Sequence, residues 1–201
     1  QKMLFGVDNS INTPLKDGDI SYDKNFLSSV EASRYFKILR NETAWQQDQI
    51  KVFGKVYDQP RLTALYANNN LTYSYSNITM RPTPFSATLL EIKEKVEQQL
   101  KLEFTTCLLN LYRHGQDSNG WHADNEKELG ENPIIASVSL GAERMFHMKH
   151  RTDKFQKIKI NLTHGSLLVM SGSTQHYWLH QIPKTKKHVE ERINLTFRIL
   201  K

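Results

Sequence analysis

From Arg192 to Ile199 the chain alternates residue by residue: Arg192, Asn194, Thr196 and Arg198 are polar, while Ile193, Leu195, Phe197 and Ile199 are apolar. Successive side chains of a strand point to opposite faces, so this period of two predicts a strand with one cationic face and one apolar face. A solvent-facing edge strand would alternate in the same way, and the strand by itself leaves both readings open. Its neighbours constrain the fold further. Short β-type runs occupy Phe104 to Tyr112, Ile134 to Leu140, Met145 to Met148, Lys157 to Ile160 and Leu167 to Met170, with Gly and Asn between them. Many short strands of this kind predict an antiparallel β-sandwich or jelly roll.

Upstream of Phe104 the pattern turns helical in two places. Ser28-x-x-Glu31 is a candidate capping box, in which the serine oxygen and the glutamate satisfy free amides at a helix start. Ala32, Tyr35, Phe36 and Leu39 then share one helical face, and Leu89, Ile92, Val96 and Leu100 mark a second amphipathic helix. The first 25 residues are largely polar, with scattered Gly, Pro, Asn and Asp, and are expected to form an irregular arm over the domain. The predicted class is α+β, mainly β. A chain of 201 residues buries one substantial core, so a single domain is expected. Within it, 1–103 would form an N-terminal extension and 104–201 the β-core.

No stretch approaches the roughly 20 apolar residues of a membrane helix, so no membrane partner is expected. The single cysteine, Cys107, lies in a mostly apolar run and reads as a buried small hydrophobe, in keeping with a reducing compartment. A net charge of +6 favours an anionic partner, because Lys and Arg near phosphates gain Coulomb energy and release counterions. The basic residues gather in two clusters, one running from Lys149 to Lys159 and one holding Lys184, Lys186, Lys187 and His188. Both could track a phosphate backbone, or be solvated loop faces.

His122-Ala123-Asp124 places a histidine and a carboxylate two residues apart, where an extended segment turns both side chains the same way. A second histidine would complete the two-His, one-carboxylate set that suits iron(II) and leaves one face of the metal open. His176, His180 and His188 are each candidates, whereas His164, beside Gly165, reads as a turn residue. Inside a jelly roll, the cationic face of the last strand would suit a dicarboxylate, since arginine offers it a planar two-pronged fork. Asn110 and Tyr112 share one face of an earlier strand and could add hydrogen bonds.

These residues resemble the AlkB family of nucleic-acid dealkylating dioxygenases, from about Val52 to Arg198. The motifs are Asn110-Leu111-Tyr112, His122-Ala123-Asp124, Ser137-Val138-Ser139-Leu140-Gly141, His164-Gly165-Ser166-Leu167-Leu168, His180-Gln181-Ile182-Pro183 and Arg192-Ile193-Asn194-Leu195-Thr196-Phe197-Arg198. The resemblance implies a double-stranded β-helix with N-terminal helices and a nucleotide-recognition lid, forming one dioxygenase domain. It implies that His122, Asp124 and His180 hold iron(II), and that Asn110, Tyr112, Arg192, Asn194 and Arg198 hold 2-oxoglutarate. The implied reaction is oxidative: the alkyl carbon on a base nitrogen is hydroxylated, a methyl group leaves as formaldehyde, and 2-oxoglutarate becomes succinate.

The substrate implied is DNA carrying lesions such as 1-methyladenine or 3-methylcytosine, with the base extruded from the stack. Val52-Phe53-Gly54-Lys55 looks like a wedge loop of the duplex-repairing branch, with Phe53 filling the gap. Pro60 to Tyr66 looks closer to the branch that prefers single strands. Tyr73 and Tyr75 resemble residues lining the base pocket, and Glu126 could hydrogen-bond a cationic methylated base. The expectation is a monomer, cytoplasmic in a bacterium or nuclear in a eukaryote. RNA demethylation and a non-catalytic nucleic-acid-binding jelly roll are the alternatives.

Overall fold

The structure is a computed structural model that describes residues 10–52, 55–68, 73–75 and 78–201; for 10–14, 50–52, 73–75 and 78–80 it describes the backbone alone. Two strands, β1 (Ser10–Leu15) and β2 (Gly18–Asp23), form a hairpin. This overturns the irregular arm expected there. Asp17 takes φ 56° in the tight turn, a conformation Asp tolerates better than most residues. Ile20 and Tyr22 then alternate inward. Gly18 lies so close to Thr174 that a Cβ would stand 2.6 Å from Thr174 Oγ1. Two apolar residues at period two are a weak signal, and the strand they pair with lies near Leu167.

Helix α1 (Ser29–Glu42) opens with the expected capping box: Ser28 Oγ accepts from Glu31 N at 3.3 Å, and Glu31 Oε2 accepts from Ser28 N at 3.1 Å. Strands β3 (Gln49–Val52) and β4 (Lys55–Asp58) pair, as do β6 (Tyr73–Tyr75) and β7 (Ile78–Met80). Between these hairpins lies β5 (Leu62–Ala67), a buried strand inside a stretch that reads only as polar and aromatic in sequence. Helix α2 (Ala87–Leu100) buries the predicted Leu89, Ile92 and Val96.

The remaining elements are β8 (Thr106–Tyr112), β9 (Asn119–His122), β10 (Ile135–Gly141), β11 (Arg144–His150), β12 (Lys157–Leu162) and β13 (Ser166–Ser171). A one-turn helix, α3 (Thr174–Tyr177), leads into β14 (Trp178–Ile182) and then β15 (Arg192–Arg198). Among the described residues, one sheet runs β1-β2-β13-β10-β15-β8-β5 and a second β12-β11-β14-β9. Phe146, Ile160 and Trp178 of the second sheet pack with Ile135, Leu168 and Met170 of the first, so the sheets face each other as a jelly roll. The other face of the larger sheet is covered by α1 and α2, through Tyr35, Leu39, Leu89 and Val96.

Strand β15 lies between β10 and β8, and all seven of its residues are buried. The edge-strand reading therefore fails. Ile193, Leu195 and Phe197 join the core under the helices, each contributing roughly 1.5–3 kcal/mol of transfer free energy. Arg192, Asn194, Thr196 and Arg198 face the cleft between the sheets. Among the described residues no helix is long and apolar enough to cross a membrane. Cys107 is fully buried, and burial pushes its thiol pKa well up.

Candidate metal centre and co-substrate cleft

His122 ends β9 and His180 sits in β14; the two strands pair with these histidines directly opposite one another, ring centroids 4.2 Å apart. Asp124, just past the end of β9, joins them, so that the ligand atoms of all three residues lie within 4.8 Å of one another. Of the three candidate second histidines, this register brings His180 beside His122 and Asp124. His176 and His188 lie elsewhere: His176 Nε2 accepts from Asn132 N at 3.4 Å, and His188 is exposed beside Glu190. His164 occupies a turn, where its Nδ1 accepts from Gly141 N at 2.8 Å.

Each of the three side chains is held. His122 Nδ1 donates to the Gly120 carbonyl at 2.7 Å, which leaves Nε2 turned toward Asp124 Oδ1 at 3.8 Å. The His180 ring stacks on Phe146, centroids 5.3 Å apart. Asp124 Oδ2 accepts from Arg198 Nη2 at 2.9 Å, and Asp124 N donates to Gln175 Oε1 at 2.9 Å. Burial opposes ionisation of Asp124, but Arg198 and the two histidines outweigh it and hold its pKa down to about 2. Burial, with His122 beside it, lowers His180 to about 3, and burial lowers His122 too. The cluster is thus poised as a carboxylate with two neutral imidazoles.

The cleft around it is lined by every residue expected to hold metal or 2-oxoglutarate. On β15, Arg192 Nη2 donates to Ser139 Oγ at 2.9 Å, while its Nε and Nη1 are buried and find no acceptor. Burial lowers the Arg192 pKa to about 10. The guanidinium lies 5.2 Å from the Tyr112 ring centre, opposite Arg192 in the β15–β8 register. Asn194 Oδ1 accepts from Thr196 Oγ1 at 2.9 Å and from Asn110 Nδ2 at 3.4 Å, and Asn110 Oδ1 accepts from the buried Arg61 Nε at 2.8 Å.

Sequence reasoning gave no role to Arg61, Gln175, Ser137 or Ser139, although the serines stand in one of the family motifs; Ser137 Oγ accepts from Asn194 Nδ2 at 2.7 Å. Arg61 and Gln175 carry no local signal, since their partners lie 49 and 51 residues away in the chain. Ser137 and Ser139 alternate with buried Val138 and could have been found by extending to β10 the face-by-face reading given to β15. Glu126 is half-buried ahead of the 3-10 turn Lys127–Leu129 and does not line the cleft. Phe53 lies outside the described residues, as do the side chains of Tyr73 and Tyr75.

The donor chemistry fits the two-His, one-carboxylate set that holds iron(II), because Asp124 Oδ1 is buried beside both imidazoles and accepts no hydrogen bond. The unsatisfied N–H groups of Arg192 fit a carboxylate. A family model described as the 2OG-Fe(II) oxygenase superfamily matches residues 19–198. DNA oxidative demethylase ALKBH2 of Homo sapiens is 36% identical over 190 residues, covering 90% of this chain and 72% of that protein. The chain belongs to the AlkB family of 2OG-Fe(II) oxygenases.

Another member, alpha-ketoglutarate-dependent dioxygenase alkB homolog 3 of Bos taurus, is 42% identical to this AlkB-family chain over 182 residues. That alignment covers 86% of the chain, which spans 63% of the relative's length. The solved structure of OsALKBH1 superposes with a TM-score of 0.63 at 16% identity, over 94% of this chain and all of that one. A prolyl hydroxylase from Trichoplax adhaerens gives 0.62 at 12% identity, over 90% of this chain and 83% of that one. These two show the jelly-roll fold that the AlkB-family chain shares with other oxygenases.

Proposed function

We propose that this chain is an iron(II)- and 2-oxoglutarate-dependent DNA demethylase that reverses alkylation of bases such as 1-methyladenine and 3-methylcytosine. The observation that carries the reading is the register of β9 on β14, which sets His122 against His180 beside Asp124 in the cleft that Arg192 also lines. His122, Asp124 and His180 would hold the metal. Arg192, with Asn194, Asn110 and Tyr112 around it, would hold 2-oxoglutarate, and Arg198 would chiefly keep Asp124 ionised. Bound iron(II), with 2-oxoglutarate and oxygen, supplies the oxidation of the alkyl carbon. Phe146 and Leu162 line the cleft with apolar surface and restrict water around the histidines.

DNA as the substrate is supported by the names of the relatives and by charge. Lys159, from one basic cluster, and Lys184 and Lys187, from the other, line a single groove beside β11. Cations brought together in this way suit a phosphate backbone.

The test is demethylation of an oligonucleotide carrying 1-methyladenine, single- and double-stranded, with iron(II), 2-oxoglutarate and ascorbate, beside a His122→Ala variant. Restoration of adenine by the wild type and its loss in the variant is the expected result, and the two strands give the preference. Succinate release without restoration of any methylated base would move the substrate to another class.

A further inference from the structure

Trp121 and His122 are consecutive on β9, so one points out of the jelly roll where the other points in. The Trp121 ring is 40% exposed, and Lys149 Nζ sits 4.3 Å from its centre on the outer face of the four-stranded sheet. Across that face Lys149 pairs with Lys157, and His147 with Lys159. Like charges directly opposite one another on a sheet are destabilising. None of the outward positions on these four strands carries a carboxylate to relieve them. The loop joining β11 to β12 adds Phe155, 97% exposed and next to Lys154.

We propose that this outer face is a binding platform for single-stranded nucleic acid running from the cleft over the edge of β9. The proposal rests on the reading of the cleft as a base-processing site. A strand whose base enters beside His122 has its next nucleotides within reach of Trp121, because the two residues are adjacent on an edge strand. Trp121 offers a π-face on which a base of any identity stacks, and Lys149, Lys157 and Lys159 offer charge to successive phosphates. Exposed aromatics interleaved with cations on an open β face are the combination that binds single strands without reading sequence. An acidic peptide would satisfy the lysines but give Trp121 no partner.

The test is binding of unmodified single-stranded DNA of 3 and 12 nucleotides, read by fluorescence anisotropy and by quenching of Trp121. Trp121→Ala and the pair Lys149→Ala/Lys157→Ala are each expected to weaken the 12-mer about tenfold, and the 3-mer less than twofold. Trp121→Phe should keep the affinity within twofold while losing the quench. The lysine pair should also reduce the log-log salt slope by about 1.4, at roughly 0.7 per phosphate contact. Equal binding of the 12-mer by wild type and variants would overturn the platform, as would equal quenching by an oligoglutamate of matched charge. None of these readings involves turnover. A failed demethylation assay with intact length dependence therefore counts against the proposed reaction, whereas intact demethylation with no length dependence counts against the platform.

Discussion

Arg198 donates to Asp124 across the cleft at 2.9 Å, and both side chains are buried. A buried ion pair gains little over a well-packed apolar pair, but removing one partner strands the other. Arg198→Met is therefore expected to destabilise the protein by about 3–5 kcal/mol and to raise the Asp124 pKa. Urea unfolding together with iron titration checks this. Unchanged stability would mean that the Arg198–Asp124 pair contributes nothing to the fold.

Arg192 presents the opposite case, since its Nε and Nη1 are buried without an acceptor. Arg192→Met should leave the ligand-free protein as stable as wild type or more so, because an unsatisfied buried charge is removed. The same change should raise KM for 2-oxoglutarate about 10- to 100-fold, given roughly 1.5–3 kcal/mol for a hydrogen bond to a charged group. Succinate release against 2-oxoglutarate concentration measures the second effect. A loss of stability as large as that of Arg198→Met would sink the assignment.

Gln175 acts on Asp124 through its backbone, accepting from Asp124 N. Groups that orient a ligand in this way typically matter 10- to 100-fold in metal affinity. Gln175→Ala is expected to fall in about that range for iron, with 2-oxoglutarate affinity changed far less. Competition with a chelator provides the readout, and a variant that binds iron as wild type does would show Asp124 to be fixed without it.

Stability toward acid should depend on Asp117, whose Oδ2 accepts from both N and Nε of Arg113 at 2.9 and 2.8 Å in the loop leading to β9. Burial opposes its ionisation, yet the hydrogen bonds and charge of Arg113 prevail and lower its pKa below the usual carboxylate value. A depressed folded pKa stabilises above the unfolded value of about 3.9, and that stability is lost as pH falls through the folded pKa. Asp117→Asn should therefore be less stable than wild type at pH 7, with the gap closing at acid pH. Urea midpoints across that range decide it, and a gap independent of pH would point to packing.

Much of this arrangement is legible in the chain, and what is not has identifiable reasons. The Ser28–Glu31 box and the spacing of Leu89, Ile92 and Val96 are local signals, and both helices form where those signals lie. The alternation in β15 announces two faces but not which is buried, because that depends on β8 and β10 on either side. His122 and Asp124 announce themselves by spacing, whereas His180 is singled out among three histidines only by a strand register or a family motif. Asp17 and the short inward pair Ile20 and Tyr22 were too slight to mark a hairpin whose partner strand lies near the other end of the chain. Arg61 and Gln175 have no sequence signature, since what distinguishes them is whom they meet.

The central place of β15 has a consequence for how this protein tolerates change. Its even-numbered residues face the cleft and its odd-numbered residues face the core, so a point substitution alters one face at a time. An inserted or deleted residue would exchange the two sets, sending guanidinium groups under the helices and leucine and phenylalanine into the cleft. Along these seven positions the length of the chain is therefore under stricter constraint than the identity of any single residue.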